Sequence, residues 1–393
     1  MKILIASDLH WPTINGVATF SRTLAQGLAA RGHEVLVIAP SQTGKRSKQI
    51  DGNYPIARTI SVPFPFYQNF RISLTPQREV KKVIEEFQPD VIHIQMLMWI
   101  GQAAMRYGIK YDIPVVSTNH AMPENLMDNL KLLAPIARPI NYMLREYGRR
   151  FHSKSDCVTM PTQSAIDMFN VDMPNPMQAV SNGIDLSKFQ PGKAPSELYK
   201  KFHLPTDRPI VSYIGRLDAE KHISVLLRAF SKIYKNTNAH LLIVGDGTDA
   251  DNLHHLAREL SIVQHVTFTG RVSDEEIIQL HQVGTVYCMP SPAELQSIAT
   301  LEAMASGQPV VAVDAGALRE LCQTDTNGYL CEKDNDEQIA AGLDAILTDA
   351  KKRTKFSKGS LAIASEHDLE YTLDQFEEIY ERVIGAPIKS TIS

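Results

Sequence analysis

The sequence predicts an α/β protein built as two doubly wound parallel sheets, and three observations carry that expectation. The chain has 393 residues, which at about 150 residues per domain asks for two or three domains. Short apolar runs alternate with helical patterns in two successive series, the signature of parallel sheets covered on both faces. A stretch rich in turn residues, 180–192, separates the two series.

The first series opens with an apolar run at residues 1–7 that suits a buried parallel strand. A loop holding Asn15 and Gly16 follows. Phe20, Leu24 and Leu28 then recur at helical spacing up to Arg31 and Gly32, where glycine is a usual helix stop. Residues 34–40, 91–95 and 114–118 read as further strands, and 157–160 as the last of this half. Lys45, Arg46 and Lys48 read as a solvated, mobile basic loop. The second series is expected to place strands at 209–215, 240–245, 266–269, 285–289 and 309–313. Leu373, Phe376 and Tyr380 form one apolar face near the C-terminus, as a helix packing back onto the first domain would need. The expected division is therefore 1–183 and 184–368, with 369–393 returning to the first domain.

Composition narrows the function. Apolar residues are 44% and charged residues 21%, values that argue against long disorder, collagen or coiled coil. No run of 18 uncharged apolar residues is present, so no spanning helix is expected, and the first apolar stretch is too short for a signal core. Cys157, Cys288, Cys322 and Cys331 are scattered without metal spacing and read as thiols in a reducing cytoplasm. The net charge of −4 hides an asymmetry: residues 1–200 carry 22 basic and 16 acidic side chains, residues 201–393 carry 18 and 28. The first half either faces something anionic or merely varies in surface charge. No GxSxG, HExxH or GxxxxGK[ST] is present. Nucleic-acid binding is not expected, for want of a basic patch interleaved with aromatics. Asp249 with Asp251, and Asp334 with Asp336, lie in polar stretches, and no metal is expected there.

Four local patterns point to chemistry at strand ends, where such sheets bind ligands in a cleft. Glu294 lies in the turn after the 285–289 strand. A helix is expected from Gln296 onward, and Glu302 lies about two helical turns beyond Glu294. Two acids so spaced can grip hydroxyls at both ends of an elongated ligand, while free N–H groups of the turn hold a phosphate. The alternative is a solvated pair of glutamates. Arg216 and Lys221 follow the 209–215 strand in a glycine-containing loop. They suit a diphosphate, or are surface cations beside Asp218 and Glu220. Gly16 and Val17 stand at a helix start where backbone can approach a ligand; the alternative is a plain Asn–Gly turn. Asn119 and His120 sit just past a strand end, where the imidazole can bond a sugar hydroxyl, move a proton, or be purely structural.

In this order, the motifs resemble family 4 of the retaining glycosyltransferases, which have the GT-B fold. The resemblance covers nearly the whole chain. Glu294 and Glu302 match the family's pair of glutamates seven residues apart, Gly215, Arg216, Glu220 and Lys221 its diphosphate clamp, and residues 181–191 its interdomain segment. Residues 15–20 match its first-domain glycine loop, with Asn15 for the usual first glycine. The resemblance implies transfer of a sugar from a nucleotide-diphosphate donor with retained anomeric configuration. It implies that Glu302 holds the ribose hydroxyls, that Glu294 holds the sugar hydroxyls, and that Arg216 and Lys221 neutralise the leaving diphosphate without a metal or prosthetic group. Main-chain groups at Gln296, Ser297 and Ile298, with Gly16 and Val17, line the donor. Gly270, Arg271 and Val272 form the base-binding stretch, Gly245 lies in the loop beside it, and His120 contacts the sugar. Ser297 departs from the glycine that many members have there.

Within the family, residues 119–125 and 292–298 are similar to bacterial diacylglycerol glucosyltransferases. That implies UDP-glucose as donor, diacylglycerol as acceptor and a peripheral place on the inner face of the cell membrane, with Asn119 and Glu124 toward the acceptor. Residues 134–154 carry Arg138, Arg145, Arg149, Arg150 and Lys154 against one acid, Glu146. They form an amphipathic pattern that either lies on an anionic membrane or packs on the first sheet. A GDP-mannose-dependent mannosyltransferase acting on phosphatidylinositol, another lipid or a soluble acceptor is the second reading, and a sugar-nucleotide epimerase the third.

Overall fold

The computed structural model describes residues 1–13, 15–64, 70–120, 137–175 and 177–386, with the backbone alone at 137 and 138. The chain forms two compact units: Met1–Ser181 with Glu370–Ser393, and Asn182–Leu369.

The first unit holds β1 (Lys2–Ala6), β2 (Glu34–Pro40), β3 (Ser47–Asp51), β4 (Tyr54–Thr59), β5 (Ser61–Pro63), β6 (Arg71–Ser73), β7 (Val91–Ile94), β8 (Val115–Thr118), β9 (Cys157–Met160) and β10 (Met177–Ala179). Eight of them make one sheet in the order β10-β9-β8-β7-β1-β2-β4-β3, with β5 and β6 paired apart. Ile3, Leu4, Ile5, Ile92 and Ile94 are fully buried, each worth about 1.5–3 kcal/mol relative to exposure. The helix Gly16–Ala30 starts where the Asn15 side chain accepts the Ala18 N–H at 2.9 Å. It ends at Arg31, with Gly32 at φ +89°. The C-terminal helix Leu369–Ile384 buries Leu373, Phe376 and Tyr380 in this unit. Phe376 lies 5.8 Å from Phe20, ring to ring, and the Tyr380 hydroxyl 2.7 Å from His93 Nδ1.

Two expectations for this unit fail. The basic segment at 45–48 is a loop only at Lys45 and Arg46: Ser47 and Lys48 open an antiparallel edge strand, Ser47–Asp51, on β4. Lys48, Gln49 and Ile50 are exposed and Asp51 is its one buried residue, so the strand lacks the apolar-in, polar-out alternation that marks a half-buried strand. Nor is 157–160 the last strand, since β10 pairs parallel to it.

The second unit holds β11 (Ile210–Ile214), β12 (His240–Val244), β13 (Val266–Phe268), β14 (Val286–Met289), β15 (Val310–Val313) and β16 (Gly328–Cys331). They form one sheet in the order β13-β12-β11-β14-β15-β16, parallel throughout. Strands β11, β12 and β14 have every residue buried, as a sheet covered on both faces requires. Among the described residues, no helix is long and apolar enough to cross a membrane.

Candidate functional site

Four neighbouring strands of the second sheet end in the loops that hold most of the expected residues. Main-chain bonds stitch three of these loops together: Gly215 N–H to Val244 O at 3.0 Å, Leu217 N–H to Asp246 O at 3.0 Å, and Gly245 N–H to Gly270 O at 3.1 Å. Gly245 makes this possible. Its φ is +130°, and a Cβ there would stand 1.9 Å from the Gly215 carbonyl oxygen. Gly245 is thus committed to loop packing. Gly270, at φ +68°, has open space where a Cβ would point. Val272 packs its side chain against the core, while Arg271 is exposed and pairs with Asp246 at 3.3 Å.

The turn after β14 differs from expectation. The helix begins at Ile298, not Gln296, and runs to Ala305, so Glu302 lies little more than one turn inside it. Ser297 stands at φ +63°, outside the helix, and its hydroxyl bonds Thr300 Oγ1 at 2.7 Å. Gln296 is buried, and its Oε1 accepts the Asn182 N–H at 2.7 Å. That side chain secures the interdomain segment. At the start of the Ile298 helix the Thr300 and Leu301 N–H groups both donate to the Ser297 carbonyl, at 3.0 and 3.2 Å, and the positive end of the helix dipole lies at this turn.

The structure joins Lys221 to Glu294. Nζ lies 2.6 Å from Oε1, with the two side chains only 14% and 11% exposed. The Glu294 carbonyl accepts the Ala317 N–H, which fixes the turn from its other side. Arg216 is not part of this contact: its guanidinium bonds the Asp218 and Glu220 carboxylates. The Tyr213 hydroxyl donates to the Arg216 carbonyl at 2.9 Å. Burial, with Glu294 adding negative charge, pushes that phenol well above its ordinary range, so it stays a donor. Glu302 meets neither cation in this network. Its Oε2 accepts from His281 Nε2 at 3.2 Å, a partner that sequence spacing could not reveal, because the two lie 21 residues apart on different helices.

In the first unit, Gly16 and Val17 form the first turn of their helix. No atom approaches the position of a Gly16 Cβ within 4 Å. His120 lies past β8, its ring 5.1 Å from that of Phe20 and its Nε2 2.9 Å from Gln95 Oε1. Burial, with His152 nearby, lowers its pKa to about 3. The ring is therefore neutral near pH 7 and offers hydrogen bonds, not charge. Asn119 is buried, and its N–H donates to the Thr159 carbonyl. Glu124 and the Arg138 side chain lie outside the described residues. On the helix Ala137–His152, Arg145 donates to the Met168 and Phe169 carbonyls, which is a structural use. Arg149 and Arg150 pair with Glu146. Tyr142, Met143 and Tyr147 are 74%, 65% and 46% exposed on the same helix. Among the described residues no three His, Cys, Asp or Glu side chains gather as a metal site.

Two known families match this chain: "Glycosyltransferase Family 4" over residues 14–188 and "Glycosyl transferases group 1" over residues 196–361. The phosphatidyl-myo-inositol mannosyltransferase of Mycolicibacterium smegmatis is 29% identical, covering 100% of this chain and 97% of its own. The alpha-monoglucosyldiacylglycerol synthase of Streptococcus pneumoniae is 27% identical, covering 79% and 71%. Among solved structures, a sucrose-phosphate synthase from Thermosynechococcus elongatus matches with a TM-score of 0.82 at 19% identity, covering 98% and 99%. With both halves matched in order and two Rossmann-like units of the GT-B class, the chain belongs to the group 1, family 4 glycosyltransferases.

Proposed function

We propose that this glycosyltransferase moves glucose from UDP-glucose to the free hydroxyl of 1,2-diacylglycerol, with retained configuration, at the cytoplasmic face of the membrane. The observation that carries the reading is the Lys221–Glu294 pair, which brings loops from two strands to one point at a helix N-terminus. In this reading the second unit binds the donor. Lys221, with Arg216 released from its carboxylates, meets the negative charge that grows on the leaving diphosphate. Glu294 orients the sugar hydroxyls and Glu302 the ribose. The first unit binds the acceptor, and His120, uncharged, bonds a sugar hydroxyl. As the bond from the anomeric carbon to the diphosphate oxygen breaks and the bond to the acceptor oxygen forms, the acceptor hydroxyl's proton passes to the departing diphosphate. No side chain therefore has to act as the base, and the rate comes from positioning and charge. Tyr142, Met143 and Tyr147, exposed beside Arg150, suit a lipid surface. The name of the Streptococcus pneumoniae relative supports the acceptor.

A second reading, mannose from GDP-mannose to phosphatidylinositol, takes its sugar and acceptor from the name of the Mycolicibacterium smegmatis relative that covers 100% of this chain and its donor from GDP-mannose-dependent alpha-mannosyltransferases that are 27% identical. Purified protein given UDP-glucose or GDP-mannose, with diacylglycerol or phosphatidylinositol in mixed micelles, separates the two. Product from UDP-glucose and diacylglycerol alone supports the first reading, and product from the other pair replaces it. Glu294→Ala is expected to lower turnover at least about 100-fold while the far-UV circular dichroism stays unchanged. Near-normal turnover by that variant rejects the site.

A further inference from the structure

We propose that His281 is a positioning residue for the nucleotide, acting through Glu302. This rests on the reading of Glu302 as the acid that holds the ribose hydroxyls. His281 ends the helix Asp274–His281 and is completely buried. Its Nε2 lies 3.2 Å from Glu302 Oε2, whereas Nδ1 has no hydrogen-bond partner. A buried imidazole in that setting keeps its proton on Nε2. The other tautomer would bury an orphan N–H at Nδ1 and turn a lone pair toward a carboxylate, both costly. The ring therefore donates to Glu302 and leaves the second carboxylate oxygen to a ligand.

The ring cannot swing away. Phe189 meets it edge-on at 5.7 Å between centroids, and Tyr287 lies at 6.1 Å. The His281 carbonyl accepts from Gln308 Nε2 at 2.8 Å, and Gln308 Oε1 accepts from Ser212 Oγ at 2.7 Å. That chain ties the helix end to β11. Glu302 is itself 16% exposed. A carboxylate left free to turn loses rotamer freedom when it grips a diol, and a fixed donor behind it removes that cost before the ligand arrives.

The two ring nitrogens make the test selective. A glutamine amide reaches the place of Nε2, and an asparagine amide reaches that of Nδ1. Binding of UDP and of 2′,3′-dideoxy-UDP is measured by calorimetry for wild type, His281→Gln, His281→Asn, His281→Phe and Glu302→Ala, using GDP and its dideoxy analogue if wild type prefers guanine. Wild type is expected to favour the ribose form by about 10-fold or more, the worth of a hydrogen bond to a charged group. His281→Asn and His281→Phe are expected to lose most of that preference, and His281→Gln to keep it within about 3-fold. Thermal melts without ligand identify any variant that fails to fold, and the Gln and Asn pair then decides. If Glu302→Ala keeps the ribose preference, the reading of Glu302 is wrong. If Glu302→Ala loses it while His281→Asn retains it, the proposal for His281 is overturned.

Discussion

Ser297 shows how one residue can hold a site in tension. At φ +63° it occupies the left-handed region, which costs a residue with a Cβ about 1–2 kcal/mol. Its hydroxyl recovers part of that by bonding Thr300 Oγ1 at 2.7 Å, a neutral bond worth about 1 kcal/mol net. Glycine would remove the strain and lose the bond. Alanine would keep the strain and lose the bond. Ser297→Gly is therefore expected to be close to wild type in stability, and Ser297→Ala to fall below Ser297→Gly by about 1 kcal/mol. In a unit of this size that is roughly 2–4 °C in melting temperature. Equal melting of the two variants would show that the turn is not strained at this residue. The resemblance to the family marked the position, since Ser297 stands where glycine is usual, but only the backbone angle shows what the exchange costs.

The C-terminal helix Leu369–Ile384 ranks its own contacts by burial. Arg31 reaches Glu370, Asp374 and Glu377, whose side chains are 70%, 58% and 25% exposed. Such pairs are screened by water and salt, each worth under about 1 kcal/mol. Tyr380 is fully buried and bonds His93, itself bonded to Thr118 Oγ1 at 2.7 Å. Removing the Tyr380 hydroxyl leaves His93 Nδ1 short of its partner in the core, at about 1–3 kcal/mol. Tyr380→Phe is expected to lower the urea midpoint of the first unit more than Arg31→Ala does; the reverse order would mean the surface pairs hold the helix. This helix was legible because Leu373, Phe376 and Tyr380 repeat at helical spacing. The parallel strands β1, β2, β7, β8, β9 and β11 to β15 were legible as apolar runs, whereas β4, which pairs parallel with β2, was missed. The edge strand Ser47–Asp51 and the terminal strands β10 and β16 were not, because one-sided solvent exposure or short length erases that pattern. At the site, spacing marked Lys221, Glu294 and Glu302 as side chains to examine. It was silent on contacts between distant segments: Lys221 with Glu294, Arg216 with its two carboxylates, and Glu302 with His281.

Across the whole molecule, buried titratable groups give the two units different responses to acid. In the first unit, burial lowers His10, His93 and His120 to about 3 and His152 to about 4. Below pH 6.5 the unfolded chain binds protons that these folded residues refuse, so stability falls with pH by about 1.4 kcal/mol per unit for each. Asp8 acts the other way. Burial raises its carboxyl to about 7, so between about pH 4 and 7 the folded form holds a proton that the unfolded chain releases, and stability rises on acidification. One such group offsets one histidine. The first unit is left losing up to about 4 kcal/mol per pH unit. Among the described residues of the second unit, burial lowers two histidines, His240 to about 4 and His367. That sets a limit below about 3 kcal/mol per pH unit. The chain's two tryptophans, Trp11 and Trp99, both belong to the first unit, so their fluorescence follows that unit alone, whereas far-UV circular dichroism follows both. On acidification from pH 7 to 4 the fluorescence transition is expected at higher pH than the midpoint of the circular dichroism change. A helical signal that vanishes before the tryptophans respond would place the weaker unit at the other end of the chain.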